Sequence, residues 1–133
     1  MVDEDRLVAE AEKAKRNAHA PYSQFHVGAA LETEDGQVFS GCNVEISSYG
    51  LSVCAERVAI FKAVSEGKRS FRRMVIVTET EEFCPPCGAC RQVIWDFAPD
   101  LEIVLVNSRG ERQRWRIGEL YPNAFGNEYL AEE

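Results

Sequence analysis

The stretch of sequence that decides the fold is 73-RMVIVTETEEFCPPCGACRQVIWDFAPDLEIVLVN-107. It opens with the apolar run MVIVT and closes with LEIVLV, and such runs are typical of strands that are covered on both faces. Between them, residues 86–97 predict a helix, with Pro86 suited to its first turn. This helix is long enough for a right-handed parallel crossover. The stretch therefore predicts a strand–helix–strand unit at the centre of an α/β sheet.

The flanking sequence adds helices and strands on both sides of this unit. Apolar residues recur at helical spacing in the first twenty residues, which predicts an amphipathic helix. Residues 27–45 predict two strands around a turn at Asp35-Gly36. Residues 53–65 predict a second helix, whose expected buried side is formed by Val58, Ile60, Phe61 and Val64. A strand at 112–117, a short helix near Leu120 and an irregular tail complete the chain.

This order of elements predicts a three-layer α/β/α sandwich with a mixed sheet of about five strands. A chain of 133 residues fits a single domain, so residues 1–133 are expected to form one domain. Such a domain can bury a sizeable core without disulfide bonds.

Composition and charge disfavour several classes of function. The net charge is -7, whereas nucleic-acid binders usually present a basic face, so no nucleic-acid partner is expected. The arginines of 112-RQRWR-116 alternate as on one solvated face of a strand. No stretch approaches the roughly 18 apolar residues of a membrane span, so no membrane partner is expected either. The acidic N-terminus has no apolar signal core, which predicts a cytoplasmic protein whose thiols stay reduced.

Three cysteines are placed to converge on one metal ion. Cys54 lies near the start of the second predicted helix, and Cys87 and Cys90 lie at the start of the third. In a sheet of this kind, both helix starts emerge at the carboxyl ends of the strands. Three sulfur ligands leave a tetrahedral zinc with one open position, as in catalytic sites, whereas a fourth protein ligand would make the site structural.

The remaining cysteines are weaker candidates for that fourth position. Cys84 precedes Pro85-Pro86, which hold the segment extended and away from the helix turn that presents Cys87 and Cys90. Cys42 falls in a predicted strand, where a cysteine is most often a small buried residue. Both are interpreted as bystanders of the metal site.

Glu56 and Arg57 suggest that the metal site is catalytic. Glu56 follows Cys54 by two residues and would face the open position without being a ligand. Zinc makes a coordinated water more acidic, and a nearby carboxylate can take and return its proton. Arg57 could donate hydrogen bonds to the sulfurs and offset the net negative charge of three thiolates around a divalent ion. Each residue alone could also be an ordinary first-turn helix residue.

The chain resembles the small, homotetrameric type of zinc-dependent cytidine deaminase. The resemblance rests on CAER at 54–57 and PCGACRQV at 86–93, together with three further segments in the same order. These segments are APYSQFHVGAAL (20–31), GCNVE (41–45) and ELYPNAF (119–125). The resemblance implies hydrolytic deamination of cytidine and 2′-deoxycytidine to the uridines in pyrimidine salvage.

The same resemblance implies roles for individual residues. Cys54, Cys87 and Cys90 would bind one zinc ion per chain, and Glu56 would move protons. The residues implied in substrate binding are Phe25 on the base, Asn43 and Glu45 on the ribose, and the Ala55 backbone on the pyrimidine. Members of this family are typically homotetramers with shared active sites, and the residues lent to a neighbour would be Ser47, Tyr49 and Phe125. Ile46 and Tyr121 depart from the usual family residues, Asn and Leu.

Other functions remain open on the sequence. A deaminase of a modified cytosine nucleoside such as blasticidin S shares the CAE and PCxxC segments, although Phe25, Asn43 and Glu45 favour the plain nucleoside. A zinc-stabilised binding module would close the metal with four sulfurs. A thiol redox protein fits poorly, because Pro-Pro lies among the three clustered cysteines and a Cys-x-Glu segment lies elsewhere in the chain.

Overall fold

The elements follow one another along the chain in the predicted order. The computed structural model describes residues 2–130, so Met1 and residues 131–133 of the predicted tail lie outside it. The helices are α1 (Glu4–Lys15), α2 (Ala55–Ser65), α3 (Gly88–Phe97) and α4 (Ile117–Leu120). The strands are β1 (Gly28–Thr33), β2 (Val38–Cys42), β3 (Phe71–Val77), β4 (Glu102–Val106) and β5 (Arg112–Arg116).

The five strands form one mixed sheet in the order β2-β1-β3-β4-β5. Strand β1 is antiparallel to both of its neighbours, and β5 is antiparallel to β4. Strands β3 and β4 are parallel and are joined through α3, as the apolar runs at 73–107 predict. The predicted mixed α/β sheet is confirmed.

Helices cover both faces of this sheet. On one face, α1 contributes Leu7 and Ala11 to a cluster that is completed by alternate valines of β3 and β4. On the other face, α2, α3 and α4 pack over a larger cluster that includes Ile60, Ile94 and Ile117. The predicted three layers are therefore present. Among the helices of residues 2–130, none is long and apolar enough to cross a membrane.

Helix α1 is shorter than the sequence predicts. It begins after the N-cap Asp3, whose side chain accepts a hydrogen bond from the Asp5 N–H, and it ends at Lys15 rather than near residue 20. The following residues turn, and the His19 N–H donates to the Asn43 carbonyl at 2.9 Å. Residue 19 thus adopts an extended pairing with the segment after β2, which a helix running to residue 20 would prevent.

The buried face of α2 differs in part from the prediction, in which Ile60 is correct and Phe61 is not. Alanines 55, 59 and 63 and Ile60 are buried, whereas Phe61 is 45% exposed. The cause is the close approach of α2 to β2, where a Cβ added at Gly41 would lie 2.7 Å from the Ala55 carbonyl oxygen. Only small side chains fit between backbones at this distance, so the helix turns its alanines toward the sheet.

The sheet register brings distant parts of the chain to one edge. Gly28, the first residue of β1, pairs with Cys42 at the end of β2 and with Val77 at the end of β3. Strands β2 and β3 therefore run in the same direction, since each is antiparallel to β1. The segments that follow them, which lead into α2 and α3, emerge at this edge beside the segment that enters β1.

Candidate active site

Three cysteine thiols meet where α2 and α3 begin. Cys54 is the N-cap of α2 and Cys87 is the N-cap of α3, while Cys90 lies one helical turn further on. The Sγ atoms of Cys54 and Cys87 are 3.8 Å apart, and those of Cys87 and Cys90 are 3.4 Å apart. All three sulfurs lie within 4.8 Å of one another. The structure brings together the three residues that the sequence selects as ligands.

This arrangement fits a zinc ion. Zinc–sulfur bonds of about 2.3 Å in a tetrahedron place the sulfurs about 3.8 Å apart, which is close to the distances between these thiols. Thiolates are also the ligands that favour zinc over magnesium or calcium. Within residues 2–130, no other His, Cys, Asp or Glu side chain belongs to the group. A zinc ion held by these three thiols would therefore take its fourth ligand from a small molecule such as water.

The surroundings of Cys54 favour its thiolate. Hydrogen bonding from the Cys90 thiol lowers the pKa of Cys54 to about 5, and the Arg57 guanidinium acts in the same direction. The Arg57 Nη2 donates to the Cys54 sulfur at 3.4 Å. The positive end of the α2 dipole adds to this stabilisation, because Cys54 caps the helix. A thiolate at Cys54 is the form that binds metal.

Cys84 lies near this group but outside it. Its thiol contacts the Pro85 carbonyl oxygen at 3.8 Å, and burial raises its pKa, with the charge of Glu56 acting in the same direction. A thiol whose proton is held more tightly is a poorer ligand. Cys42 is the last residue of β2, a half-buried free cysteine that does not belong to the group. The structure is consistent with both as bystanders.

Glu56 is a buried carboxyl group in the first turn of α2. The residue is 5% exposed, and this burial raises the pKa of its carboxyl group to about 7, with the negative charge of Cys54 contributing. A general acid–base group works best when its pKa is near the working pH. Glu56 is therefore suited to take up and release a proton beside the thiol group.

Glu56 and Cys54 line a cavity of about 450 Å³ at this edge of the sheet. This volume suits a small organic molecule. The cavity is also lined by most of the residues that the resemblance implies in substrate binding, namely Phe25, Asn43, Glu45, Tyr49 and Ala55, together with Arg57. Cys87 lines it as well, whereas Cys90 is fully buried and does not.

Two of the predicted substrate-binding residues do not line this cavity. Ser47 is exposed on the segment after β2, and Phe125 is 53% exposed near the end of the chain. The Phe125 ring stacks on Tyr129 with ring centroids 5.7 Å apart, and its carbonyl accepts a hydrogen bond from Gln92. In a single chain, neither side chain reaches the site.

The polar residues after β2 hold the segment that enters β1. The Asn43 side chain accepts from the Val27 N–H at 2.9 Å and donates to the Phe25 carbonyl at 2.7 Å. The Glu45 carboxylate accepts from the backbone N–H groups of Tyr22 and Ser23 at 3.1 and 3.0 Å. These contacts connect three residues that line the cavity and that supply an aromatic ring, an amide and a carboxylate.

Sequence reasoning missed several residues that line the cavity. They are Ser23, Val27, Ser52, Val53, Ile76, Thr78 and Pro85, with Cys84 lining it too. Most of them are apolar or small residues whose local sequence carries no functional signal. Ser23 could have been found, because it follows Pro21 in a turn that directly precedes the implied aromatic Phe25.

A three-thiol group with an open position, beside a buried carboxyl group in a cavity, defines a zinc-dependent enzyme of the hydrolytic type on a three-layer α/β fold. A model of the family described as "Cytidine and deoxycytidylate deaminase zinc-binding region" matches residues 1–106. The chain belongs to this family, and zinc is its metal.

Relatives and solved structures agree with this assignment. The chain is 46% identical to the cytidine deaminase of Sporosarcina psychrophila, over 99% of this chain and 100% of the relative. The crystal structure of cytidine deaminase from Burkholderia pseudomallei superimposes with a TM-score of 0.90 at 48% identity, over 93% of this chain and 100% of that one. The blasticidin-S deaminase of Bacillus cereus is 36% identical over 75% of this chain and 76% of the relative.

Proposed function

We propose that the chain catalyses the hydrolytic deamination of cytidine and 2′-deoxycytidine to uridine and 2′-deoxyuridine, with release of ammonia. The observation that carries the proposal is the buried carboxyl group of Glu56 beside the three-thiol group, inside a cavity of nucleoside size. The cytidine deaminases of similar length and sequence support the same reaction.

The proton transfers are assigned to Glu56. Zinc held by Cys54, Cys87 and Cys90 would make the attacking water more acidic. The Glu56 carboxylate takes a proton from this water and delivers it to N3 of the pyrimidine, while the water oxygen bonds to C4. Glu56 then takes the proton of the hydroxyl group now bound to C4 and passes it to the amino group. The bond between C4 and the amino nitrogen breaks, and ammonia leaves. A carboxyl group with a pKa of about 7 can serve in both directions.

Arg57 is proposed to moderate the charge of the metal site. Three thiolates and a divalent ion carry one net negative charge, which by itself makes the water less acidic. The Arg57 guanidinium donates to the Cys54 sulfur, and its Nε is buried without a hydrogen-bond partner among residues 2–130. Hydrogen bonds from a cation draw electron density from the sulfurs and offset this charge.

The remaining cavity residues are proposed to orient the nucleoside. Phe25 would pack against the base, the Ala55 backbone would hydrogen-bond the pyrimidine, and Asn43 and Glu45 would bind the ribose. Their support is that all four line the same cavity as Glu56. An aromatic surface for the base and hydrogen bonds for the sugar are the contacts that such a substrate offers.

The direct test is the loss of cytidine absorbance on addition of the purified protein. We expect turnover that stops when a chelator removes zinc and returns when zinc is restored. Turnover that persists in protein shown to contain no metal would contradict the role of zinc. Complete inactivity of the zinc-loaded protein on both nucleosides would contradict the proposed reaction.

Two alternatives are separated by simple measurements. A blasticidin S deaminase would turn over that antibiotic faster than cytidine, so the two substrates are assayed side by side. A non-catalytic binding module would show four sulfur ligands in X-ray absorption spectra of the zinc, whereas the proposed site shows three sulfurs and one lighter atom.

We also propose that the chain assembles as a homotetramer with shared active sites. The support is the number of large exposed apolar side chains, because apolar surface that faces water in one chain can be buried between chains. They are Tyr49, Leu51, Phe61, Phe125, Tyr129 and Leu130. In this assembly, Ser47, Tyr49 and Phe125 would be lent to neighbouring sites, and Tyr49 also lines the cavity of its own chain. Sedimentation analysis should show a particle of four chains, and a stable, active monomer would contradict the assembly.

The cellular setting is proposed on chemical grounds. All five cysteines are free, and a thiolate metal site needs a reducing compartment. We therefore place the chain in the cytoplasm as a one-domain enzyme of pyrimidine salvage spanning residues 1–133. Fractionation of the source cells, followed by deaminase assay of each fraction, tests the location.

A further inference from the structure

A single serine hydroxyl connects the two parts of the proposed nucleoside site. The Ser23 hydroxyl donates to one carboxylate oxygen of Glu45 and accepts a hydrogen bond from the Phe25 N–H at 3.0 Å. The other carboxylate oxygen of Glu45 accepts from the backbone N–H groups of Tyr22 and Ser23. Glu45, which is proposed to bind the sugar, and the backbone of Phe25, which is proposed to contact the base, thus share Ser23 as a hydrogen-bond partner.

The turn that carries Ser23 has an unusual backbone. Gln24 has a φ of 58°, which lies in the left-handed region that residues other than glycine seldom adopt. Its N–H donates to the Ala20 carbonyl at 2.9 Å, which closes the turn. The Ser23 hydroxyl accepts from the Phe25 N–H, across Gln24, and donates to Glu45, so it helps to hold the turn in this conformation.

The Phe25 backbone is held from its other side by Asn43. The Asn43 amide donates to the Phe25 carbonyl, whereas the Phe25 N–H is bound by Ser23. Asn43 and Glu45 both belong to the segment that follows β2. The aromatic ring and the two polar side chains therefore form one hydrogen-bonded unit, and Ser23 supplies the link between Glu45 and Phe25.

Ser23 is an exposed residue, so it is not part of the core. It is exposed at the mouth of the cavity, where it lines the cavity together with Phe25 and Glu45. Its hydrogen bonds lower the pKa of the Glu45 carboxyl group, so Glu45 is held as a carboxylate. A carboxylate can only accept hydrogen bonds, which matches a sugar hydroxyl as the donor.

We propose that Ser23 is a positioning residue for sugar recognition: its hydroxyl orients the Glu45 carboxylate relative to Phe25, so that base and ribose are bound in one geometry. This inference rests on the proposed nucleoside deamination. It implies that Ser23 contributes to turnover of substrates that carry hydroxyl groups on the ribose ring and contributes little to turnover of substrates that lack the 2′ and 3′ hydroxyls.

The test combines variants of Ser23 with substrates that differ in the sugar. Ser23→Thr and Ser23→Val have the same shape, and only the first keeps a hydroxyl. For Ser23→Val we expect kcat/KM on cytidine to fall about 10-fold, mostly through KM, since a charge-assisted hydrogen bond is lost. On 2′,3′-dideoxycytidine, which lacks both ring hydroxyls, the fall should be less than about 3-fold. Ser23→Thr should stay within about 3-fold of the parent on both substrates.

Controls separate positioning from folding. Ser65→Ala removes a serine hydroxyl that donates to the Lys62 carbonyl at 2.7 Å on the far end of α2, and it should leave kinetics on both substrates unchanged. Zinc content and thermal unfolding are measured for every variant. An equal fall on both substrates, or a Ser23→Val protein that unfolds or loses zinc, would overturn the positioning role and assign Ser23 to the fold.

A Glu45→Gln variant distinguishes failure of this inference from failure of the proposed function. Glu45→Gln should lose turnover on cytidine and keep most of it on the dideoxynucleoside. If Glu45→Gln behaves in this way while Ser23→Val leaves kcat/KM unchanged on both substrates, the nucleoside site is supported and the Ser23 inference fails. If the parent protein itself does not deaminate cytidine, the proposed function fails.

Discussion

At the residue scale, the chemistry of the site depends on the different burial of two adjacent side chains. Glu56 is 5% exposed and its carboxyl group has a pKa of about 7, whereas Arg57 reaches back to the Cys54 sulfur. One residue is kept able to exchange a proton and the other stabilises a thiolate. Helix geometry directs adjacent residues to different sides, so one helical turn serves both purposes.

Removal of the Glu56 carboxylate should separate zinc binding from catalysis. We expect Glu56→Gln to keep one zinc per chain and to lose kcat by about 100-fold or more, the scale of general acid–base catalysis. Atomic absorption gives the zinc content and the cytidine assay gives kcat. Glu66→Gln, at the exposed C-terminal end of the same helix, is the matched control and should keep full activity. Unchanged turnover in Glu56→Gln would contradict the assignment.

Substitution of Cys90 and of Cys84 should have different effects on the zinc content. Cys90→Ser removes a fully buried member of the thiol group, so we expect loss of bound zinc at equilibrium with a weak chelator. Cys84→Ser should retain one zinc per chain, because Cys84 lies outside the group. Loss of zinc from Cys84→Ser would show that this residue is a fourth ligand and that the site is closed.

At the element scale, the position of α2 on the sheet decides where Cys54 and Glu56 lie. The helix approaches β2 so closely that a Cβ at Gly41 would meet the Ala55 carbonyl oxygen and the Ala59 nitrogen, each at 2.7 Å. The contacting atoms are backbone atoms, which cannot rotate away. Gly41 therefore sets the distance between the start of α2 and the end of β2, which Asn43 directly follows.

Substitution of Gly41 should force α2 away from the sheet. We expect Gly41→Ala to lower the free energy of unfolding by about 1–3 kcal/mol, the usual cost of overpacking. Urea denaturation measures this change. Gly118→Ala is the control, because the nearest atom to its added Cβ is 4.0 Å away in Trp95, and its stability should stay within about 0.5 kcal/mol of the parent. Equal stability of the two variants would contradict the close packing of α2.

At the scale of the whole molecule, a group of charged residues joins the two ends of the chain. Glu4 in the first turn of α1 pairs with Arg112 and Arg114 of β5 at 2.6 and 2.5 Å, and with Arg73 of β3 at 3.2 Å. The arginines of β5 are exposed residues, as predicted, and two of them form these ion pairs. The N-terminal helix is thereby tied to the opposite edge of the sheet.

This network should make stability depend on pH. The hydrogen bond from Arg114, with help from Arg112, lowers the pKa of the Glu4 carboxyl group from 4.5 to about 2. Because the folded pKa is depressed, the stabilisation is complete above the unfolded value and is lost as the pH falls from about 4.5 to about 2. At pH 7 we expect Glu4→Gln to be less stable by about 1–2 kcal/mol, with the difference shrinking across that window.

The measurement is urea denaturation of both proteins at several pH values. Glu12→Gln is the control, because Glu12 pairs only weakly, at 3.5 Å, with Lys15 on the same helix. Its effect should stay below about 0.5 kcal/mol at every pH. A Glu4→Gln difference that does not change between pH 7 and pH 2 would contradict the network as the source of the stability.

Much of this protein can be predicted from local sequence, because the controlling interactions are local. Runs of apolar residues predict β3 and β4, helical spacing predicts α1, and Pro86 marks the start of α3, since these signals follow from the geometry of a single element. The spacing of Cys87 and Cys90 places both thiols at one helix start, and CAE at residues 54–56 places a ligand and a carboxylate at another. The family resemblance rests on these same residues.

Only the tertiary structure decided which faces and segments meet. The burial of Ala55 and Ala59 rather than Phe61 follows from the approach of Gly41 on another strand, and the end of α1 follows from the pairing of His19 with the segment after β2. The link from Ser23 to Glu45 spans 22 residues and depends on both sheet register and a left-handed turn. Sequence determines the elements and the chemical groups because these depend on near neighbours along the chain. The contacts that turn three distant thiols and a carboxylate into one site depend on strand direction and packing, which are properties of the whole fold.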